Sequence, residues 1–251
     1  MTNGYFFTVV IMLFIASMAF ARYVAKKRRD AMSAQAARMG FRYAPTVPGL
    51  MERLTALGDP FDRGGGRKAK NILTGMWDGR PAIAFDYSYK TSSGKNTKTH
   101  HLGIVCIDAQ LDMPTLSVLP EGVLTRAMGA LLGDDVQLES EDFNRAFRVT
   151  SDNRRFATDV LHPRTMQFLL ANGREGFRLV DGQAIRVSVG TIEPLAIPGA
   201  MAYLDTILDD IPDHVRRGLG RYASGTRGEG LVERLVDLRL HNALHWLQEH
   251  R

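Results

Sequence analysis

The amino-acid sequence predicts an α+β fold in which an N-terminal transmembrane helix is followed by an antiparallel-sheet domain with packed helices. Three observations predict this fold. Residues 5–21 form an uncharged, largely apolar run. Two runs of strand-like residues are interrupted by Asp-Gly pairs, Asp78-Gly79 and Asp181-Gly182, which is the pattern of a two-residue β-hairpin. Segments with helical periodicity follow each pair of strands.

The first 25 residues are predicted to be a membrane anchor. Extended through residue 25, the apolar run spans about 30 Å as a helix, the thickness of a bilayer core. One alternative is a cleaved signal peptide, because residues 19–21 (AFA) match a cleavage site, and another is a buried helix of a soluble protein. However, the leading MTNGY has no basic residue, and the block at residues 26–29 (KKRR) follows the run and opposes export. The same block predicts a single-pass protein of the cell membrane with its N-terminus outside and its C-terminal domain in the cytoplasm.

Residues 26–60 are predicted to be a juxtamembrane helical segment. One helix continues out of the membrane and ends at Gly40, since glycine is the usual residue after a helix C-terminus. Pro45 and Pro48 then interrupt the chain. A second, short helix is predicted for residues 50–57.

The soluble α+β domain is predicted to span residues 61–219, with a linker and a C-terminal amphipathic helix at residues 220–251. Its clearest part is an antiparallel meander of three strands at residues 70–108. A short strand at residues 115–121 and a helix at residues 122–133 are predicted to follow.

The second half of the domain is predicted to return to strand across residues 135–152, where Phe143, Phe147 and Val149 share a parity that faces the core. The next helix is predicted to be capped by Ser151 or Asp152. Two further helices are predicted, one that opens at Pro163 and one across residues 195–219.

Composition and charge limit the classes of function. The net charge is +5, but residues 22–30 alone carry four of these charges, so nucleic acid is not a predicted partner. The single cysteine, Cys106, leaves no internal disulfide. No cofactor or metal is predicted, because no motif for one occurs. Residues 63–101 carry a net +6 and residues 108–142 a net −7. Four interpretations are open: this charge separation holds the sheet together internally, orients the domain with its basic part toward an anionic leaflet, docks a partner, or consists only of solvated surface charges.

Two basic stretches are the candidate anion- or lipid-binding sites. The block after the anchor attracts anionic lipid headgroups, or else it only sets topology. The glycine-rich stretch at residues 62–70 (DRGGGRKAK) has the composition of a phosphate-binding loop but lacks the P-loop spacing, and a flexible solvated loop is the alternative. The candidate residues are Lys26, Lys27, Arg28, Arg29, Arg63, Arg67 and Lys68.

Histidines and carboxylates are weaker candidates. His241 and His245 lie one helical turn apart and suit zinc, although solvated histidines are the simpler interpretation. His100 and His101 are neighbours on a predicted strand, so their side chains point to opposite faces. The carboxylates of residues 139–142 are predicted to form a charged turn rather than an acid–base pair.

Three stretches of the sequence carry a family resemblance. They are DPFDRGGGRKAKNILTGMWDGRPAIAFDYSYKTSSGKNTKTH, LSVLPEG and FNRAFRVTSDNRRFATDVLHPRTMQFLL. On these residues, and on the order of its elements up to about residue 210, the chain resembles a family of uncharacterised single-pass membrane proteins, common in actinobacteria, that carries a domain of unknown function. The resemblance implies a fold and a location, and it brings no catalytic residues with it.

The function predicted from the sequence is a membrane-anchored, cytoplasm-facing binding or scaffolding module. An enzyme is not preferred, because no motif brings a nucleophile, a base and an orienting group together. Two alternatives remain: a hydrolase-like enzyme acting on a lipid or phosphate-bearing substrate, and a sensor of anionic lipid or of an envelope component. The predicted partners are the lipid bilayer with its anionic headgroups and an unidentified protein.

Overall fold

A single helix, α1, joins the predicted anchor to the sheet in the computed structural model, which describes residues 2–94, 96–120, 134–173 and 175–219. α1 spans Thr2–Arg38 without a break. It ends just before Gly40, whose φ of 68° is the left-handed conformation typical of a helix C-terminus. The predicted helix end is therefore confirmed. Within the described residues, this helix is long and apolar enough to cross a membrane.

Nine strands in the described residues form one sheet, in which every pair of neighbours is antiparallel. The strands are β1 (Arg42–Ala44), β2 (Gly65–Trp77), β3 (Arg80–Ser93), β4 (Asn96–Asp108), β5 (Leu116–Pro120), β6 (Asp134–Asp135), β7 (Phe147–Ser151), β8 (Phe177–Val180) and β9 (Gln183–Val189). Their order across the sheet is β1-β2-β3-β4-β9-β8-β5-β7-β6. The predicted α+β class is confirmed.

The remaining helices are short. They are α2 (Leu50–Thr55), α3 (Glu141–Ala146), α4 (Arg154–Val160), α5 (Pro163–Ala171), a 3₁₀ turn (Pro194–Ala196), α6 (Ile197–Asp209) and α7 (Asp213–Gly218). The helix predicted to open at Pro163 is confirmed as α5. The helices predicted at residues 122–133 and near the C-terminus lie outside the described residues.

Both predicted hairpins are present. Asp78 and Gly79, with φ of 46° and 76°, connect β2 to β3, and Asp181 and Gly182, with φ of 48° and 70°, connect β8 to β9. Positive φ at both central residues is the requirement of a type I′ turn, which matches the twist of the flanking strands. The Asp-Gly pairs therefore set the register of two strand pairs, β2 with β3 and β8 with β9.

Side chains alternate between the two faces of the sheet, and each face has its own core. Ala82 and Ala84 of β3 face a large core that includes residues of α1, α4, α5 and α6; we call this side the helix face. Ile83 and Phe85 face a smaller core covered by α2 and by the segment at residues 56–61; we call this side the loop face. Cys106 is fully buried there, and burial raises the pKa of its thiol.

The structure corrects the strand predicted across residues 135–152. Residues 141–146 form α3, and the strand begins only at Phe147. The Ser140 hydroxyl accepts a hydrogen bond from the backbone N–H of Phe143 and caps the helix. The rings of Phe143 in α3 and Phe147 at the start of β7 stack with centroids 4.8 Å apart.

Two further helix boundaries differ from the prediction. The cap of α4 is Asn153, whose side chain accepts from the backbone N–H of Phe156, rather than Ser151 or Asp152. The single helix predicted across residues 195–219 divides into α6 and α7, because Pro212 precedes the first turn of α7 and breaks the hydrogen-bond ladder.

Candidate membrane-proximal site

α1 has two parts with opposite environments. Its large apolar side chains from Phe7 to Val24 are exposed, whereas Met32 and Ala36 are buried in the core of the helix face. Exposed apolar residues over such a length require a nonpolar solvent, which a bilayer supplies. The anchor and part of the domain core therefore belong to one continuous helix.

Arg28 fixes α1 to the sheet where the helix leaves the domain. Its Nε lies 2.8 Å from Asp86 Oδ2 and its Nη2 lies 2.6 Å from Asp86 Oδ1, so the pair is bidentate. Nη2 also donates to the carbonyl of Ile192 at 2.8 Å. Asn71 Nδ2 donates to Asp86 Oδ2 at 2.8 Å, and Asn71 Oδ1 accepts from the Tyr43 hydroxyl at 3.0 Å. The hydrogen bond with Asp86 raises the pKa of Arg28, although burial opposes it.

The structure thus separates the four basic residues after the anchor into one paired residue and three exposed ones. Arg28 is engaged with Asp86, whereas Lys26, Lys27 and Arg29 are exposed. These three side chains remain candidates for contact with lipid headgroups.

The glycine-rich stretch at residues 62–70 is not a flexible loop, which corrects that alternative. Its second half is the start of β2, from Gly65 onward. Gly64 has φ of 58°, and a Cβ there would lie 2.2 Å from the carbonyl oxygen of Lys90. Glycine is therefore required for the close approach of this segment to β3.

Arg63 and Arg67 bind their own segment on the loop face. Arg67 Nη1 donates to the carbonyl of Phe61 at 2.8 Å, and Arg63 Nε lies 3.7 Å from Asp59 Oδ1. The Tyr87 hydroxyl donates to the same Phe61 carbonyl at 3.3 Å. Arg67 of β2 therefore holds the segment at residues 56–64 on the sheet, whereas the pair of Arg63 with Asp59 lies within that segment. Lys68, by contrast, is exposed.

A buried arginine that the sequence did not single out lies beneath this segment. Arg178 of β8 is only 5% exposed. Its Nε donates to Ser117 Oγ at 3.1 Å, and its Nη1 donates to the carbonyl of Asp59. Burial lowers the pKa of Arg178, while the charges of Asp59 and Asp62 oppose the decrease. Its partner on the covering segment is 119 positions away in sequence, so no local pattern reveals the contact.

The carboxylate charge of Asp59 acts on this arginine, and the pKa of the Asp59 carboxyl group is itself shifted. Burial raises its pKa to about 6 from 3.8, with Asp62 adding to the rise and Arg63 and Arg178 opposing it. Its Oδ1 is buried with no hydrogen-bond partner, since Arg63 Nε is too distant for one. The folded protein therefore holds the Asp59 proton more tightly than the unfolded chain does.

Replacing this carboxylate with the neutral amide, Asp59→Asn, should stabilise the protein near neutral pH. Because the folded pKa is raised, the wild-type protein loses stability as pH rises from about 4 through about 6. We expect the variant to be more stable by about 1–2 kcal/mol at pH 7.5 and to match the wild type at pH 4. Urea unfolding at both pH values measures this difference.

The control for this prediction is Asp62→Asn, which removes the same charge at an exposed neighbour. It should change stability by less than about 0.5 kcal/mol. A wild type that gains stability relative to Asp59→Asn as pH rises from 4 to 7.5 would contradict the assignment.

The structure contains an open cavity of about 1010 Å³. It is bordered by the end of α2, the β4–β5 connection, the β8–β9 turn and the end of α7. Its polar lining comprises Asp112, Thr115, Asp152, Asn153 and Asp181. None of the basic candidate residues lines it, so it is separate from the membrane-proximal site.

The other residues singled out in the sequence make contacts within the fold, lie apart from the membrane-proximal site, or lie outside the described residues. His100 stacks on Tyr89 at 4.7 Å and its Nε2 is 2.8 Å from Thr91 Oγ1, whereas His101 is exposed, as the strand alternation predicts. The carboxylates of residues 139–142 flank the N-terminus of α3. His241 and His245 lie outside the described residues.

One carboxylate group has the spacing of a cation site. Asp78, Asp205 and Asp209 bring ligand atoms within 4.8 Å of one another. Arg80 forms ion pairs with Asp205 and with Asp209, the latter at 2.7 Å. A guanidinium therefore already supplies the positive charge that these carboxylates require.

Comparison with known proteins identifies a structural neighbour. The fold is similar to that in the crystal structure of the mycobacterial trehalose monomycolate transport factor A, TtfA, with a TM-score of 0.54 and 13% sequence identity. The similarity covers 73% of this chain and 96% of that chain. At this identity it shows a shared fold. No protein-family model and no curated protein matches the chain.

Proposed function

We propose that the chain is a membrane-anchored, cytoplasm-facing binding or scaffolding module that assists membrane machinery for envelope lipids. The observation that carries this proposal is the continuity of α1 from its exposed apolar part into the core. Because the Arg28–Asp86 pair fixes the helix at its exit, the domain stays at the bilayer surface. A domain held there meets membrane proteins and lipids at high local concentration.

The orientation rests on charge. The block at residues 26–29 follows the apolar run directly, and basic residues flanking a span are retained on the cytoplasmic side. The sheet domain then lies in the cytoplasm, next to the inner leaflet. This side carries the anionic surface potential to which exposed lysines respond.

The link to lipid transport comes from the structural neighbour. TtfA is described as a transport factor for trehalose monomycolate, and its fold extends over most of this chain. The corresponding role here is to bind a membrane protein, or its lipid cargo, from the cytoplasmic side. Because the two proteins are similar in fold alone, the identity of the cargo of this chain has to be determined by experiment.

Proximity labelling with the full chain tests the proposal. A labelling enzyme fused to the C-terminus should mark cytoplasmic proteins and enrich at least one polytopic membrane protein reproducibly. The matched control carries residues 1–30 fused to an unrelated soluble domain, so it shares the anchor but lacks the sheet. Equal enrichment of membrane proteins by both fusions, or labelling of proteins outside the cell, contradicts the proposed function.

A further inference from the structure

Three exposed lysines lie on the helix face of the sheet beyond the point where α1 departs. Lys68 pairs with Ser88 and Lys70 pairs with Asp86, and paired residues in a sheet share a face. Lys90 is four positions after Asp86 on β3, so it faces the same side. Since Asp86 contacts Arg28 of α1, all three lysines belong to the helix face. We call Lys68, Lys70 and Lys90 the sheet lysines.

A bulge in β2 places two of these lysines on that face. The pairing of β2 with β3 shifts between Lys70 and Leu73, and Asn71 within the shift has φ of 53°. Without the extra residue, Lys70 would share the parity of Ile72 and point into the core of the loop face. The Asn71 side chain is held by Asp86 and Tyr43. The same network therefore fixes α1 and directs these lysines.

The direction of α1 relative to the strands follows from its contacts. At its C-terminal end, the Phe41 ring lies against Gly75 of β2. Ten positions before Arg38, Arg28 lies at Asp86, which pairs with Lys70 of β2. The helix thus runs along β2 in the same sense, and its N-terminal part points toward the β3–β4 turn.

The distances bring the sheet lysines near the end of the membrane span. Arg22, the first charged residue after the apolar run, precedes Arg28 by six residues, about 9 Å of helix. Lys90 follows Asp86 by four residues, about 13 Å of strand. Arg22 and Lys90 therefore both lie on the side of the Arg28–Asp86 pair toward the N-terminus of α1, at comparable distances from the pair.

Charge on this side of the domain is mainly positive. Residues 87–101, which form most of the β3–β4 hairpin, contain three lysines and no carboxylate. The nearby carboxylates are Asp86, which is paired with Arg28, and the exposed Asp30 and Glu193. The sheet lysines therefore extend the positive surface of the exposed residues Lys26, Lys27 and Arg29 onto the sheet.

We propose that the sheet lysines form a second membrane contact that binds anionic phospholipid headgroups and fixes the domain against the bilayer. The proposal rests on the membrane anchoring and orientation in the proposed function, and it adds the lipid class and the residues. The anchor alone holds the chain at one point, whereas a second contact, displaced along the sheet, restricts rotation and tilt of the domain.

The test uses the purified full chain in nanodiscs. Ser92→Cys at the β3–β4 turn is exposed and takes a bimane label, while Cys106 is buried and stays unlabelled. We expect headgroup-attached nitroxide lipids to quench the label in discs of phosphatidylcholine with phosphatidylglycerol. Quenching should fall in phosphatidylcholine alone and at high salt.

Two triple variants provide the decisive comparison. Lys68→Gln with Lys70→Gln and Lys90→Gln should lower the ratio of docked to undocked states about a hundredfold, since each basic residue near an anionic surface contributes about fivefold. The matched control neutralises three exposed arginines on β7 and the helices on either side of it, Arg145→Gln in α3, Arg148→Gln in β7 and Arg154→Gln in α4, and should retain quenching.

Equal quenching in both lipid mixtures, no quenching in either, or equal loss in both triple variants overturns the proposal. Docking that needs an added acidic protein instead of anionic lipid also overturns it. The single variant Lys90→Gln, at an exposed position, should show about a fivefold change, so a folding defect of the triple variant leaves the proposal testable. This assay contains only chain and lipid, so its outcome is independent of the proximity-labelling result.

Discussion

Replacing Phe61 with alanine should lower the free energy of unfolding by about 3–5 kcal/mol. The Phe61 ring is fully buried, and its centroid lies 5.3 Å from that of Tyr87 and 6.4 Å from that of Phe85. Removing it leaves a cavity under the segment at residues 56–64, which depends on this ring and on the Arg67 hydrogen bond to cover the loop face. Urea unfolding followed by tryptophan fluorescence measures the loss.

A conservative variant shows how much of this loss of stability comes from removing the apolar side chain at position 61. Phe61→Leu keeps an apolar side chain and should cost about 1–1.5 kcal/mol. Hydrogen exchange at residues 56–64 should accelerate strongly in the alanine variant and little in the leucine variant. If Phe61→Ala unfolds like the wild type, the loop face is not a core, and its aromatic residues have another role.

The second large effect is expected at the exit of α1. Asp86→Ala leaves the Arg28 guanidinium and the Asn71 amide without their shared acceptor. Removing one member of a buried ion pair is strongly destabilising. Arg28 is 24% exposed in its side chain, so water compensates in part, and we expect a loss of about 2–3 kcal/mol. Thermal unfolding of the full chain in detergent micelles measures it.

Asp30→Ala is the matched control for this effect, because it removes a carboxylate from α1 that is exposed. It should change stability by less than about 0.5 kcal/mol. The double variant Arg28→Met with Asp86→Leu should recover part of the loss, since it leaves no charged group unpaired, although the Asn71 amide still lacks its acceptor. Equal effects of Asp86→Ala and Asp30→Ala would contradict a role for Asp86 in fixing the helix.

Local sequence signals predicted the elements whose backbone conformation depends on a few neighbouring residues. The Asp-Gly pairs predicted both hairpins because two successive positive φ angles favour those residues. The end of α1 at Gly40 was predicted for the same conformational reason. The region of Phe143 and Phe147 was misassigned because residues four apart fit one face of either a strand or a helix.

The site depended on contacts that no local signal encodes. Arg28 and Asp86 are 58 positions apart, so the basic block after the anchor was predicted as four equivalent charges when one is paired inside the fold. The glycines at residues 64–66 were interpreted as a loop because their pairing with Lys90 depends on the distant strand β3. The prediction that Arg63, Arg67 and Lys68 bind anions or lipids stays a prediction, with Lys68 the exposed member.

The unbroken run of α1 has a mechanical consequence. Helices adjust to the thickness of the surrounding hydrocarbon layer by tilting. Because α1 is continuous between residues 2 and 38, a change in the tilt of its apolar part also changes the position of the sheet, unless a second membrane contact holds the domain. A change of about 10° in the bilayer moves a point about 30 Å from the pivot by about 5 Å. A change in membrane thickness would in this way displace the surface of the sheet domain.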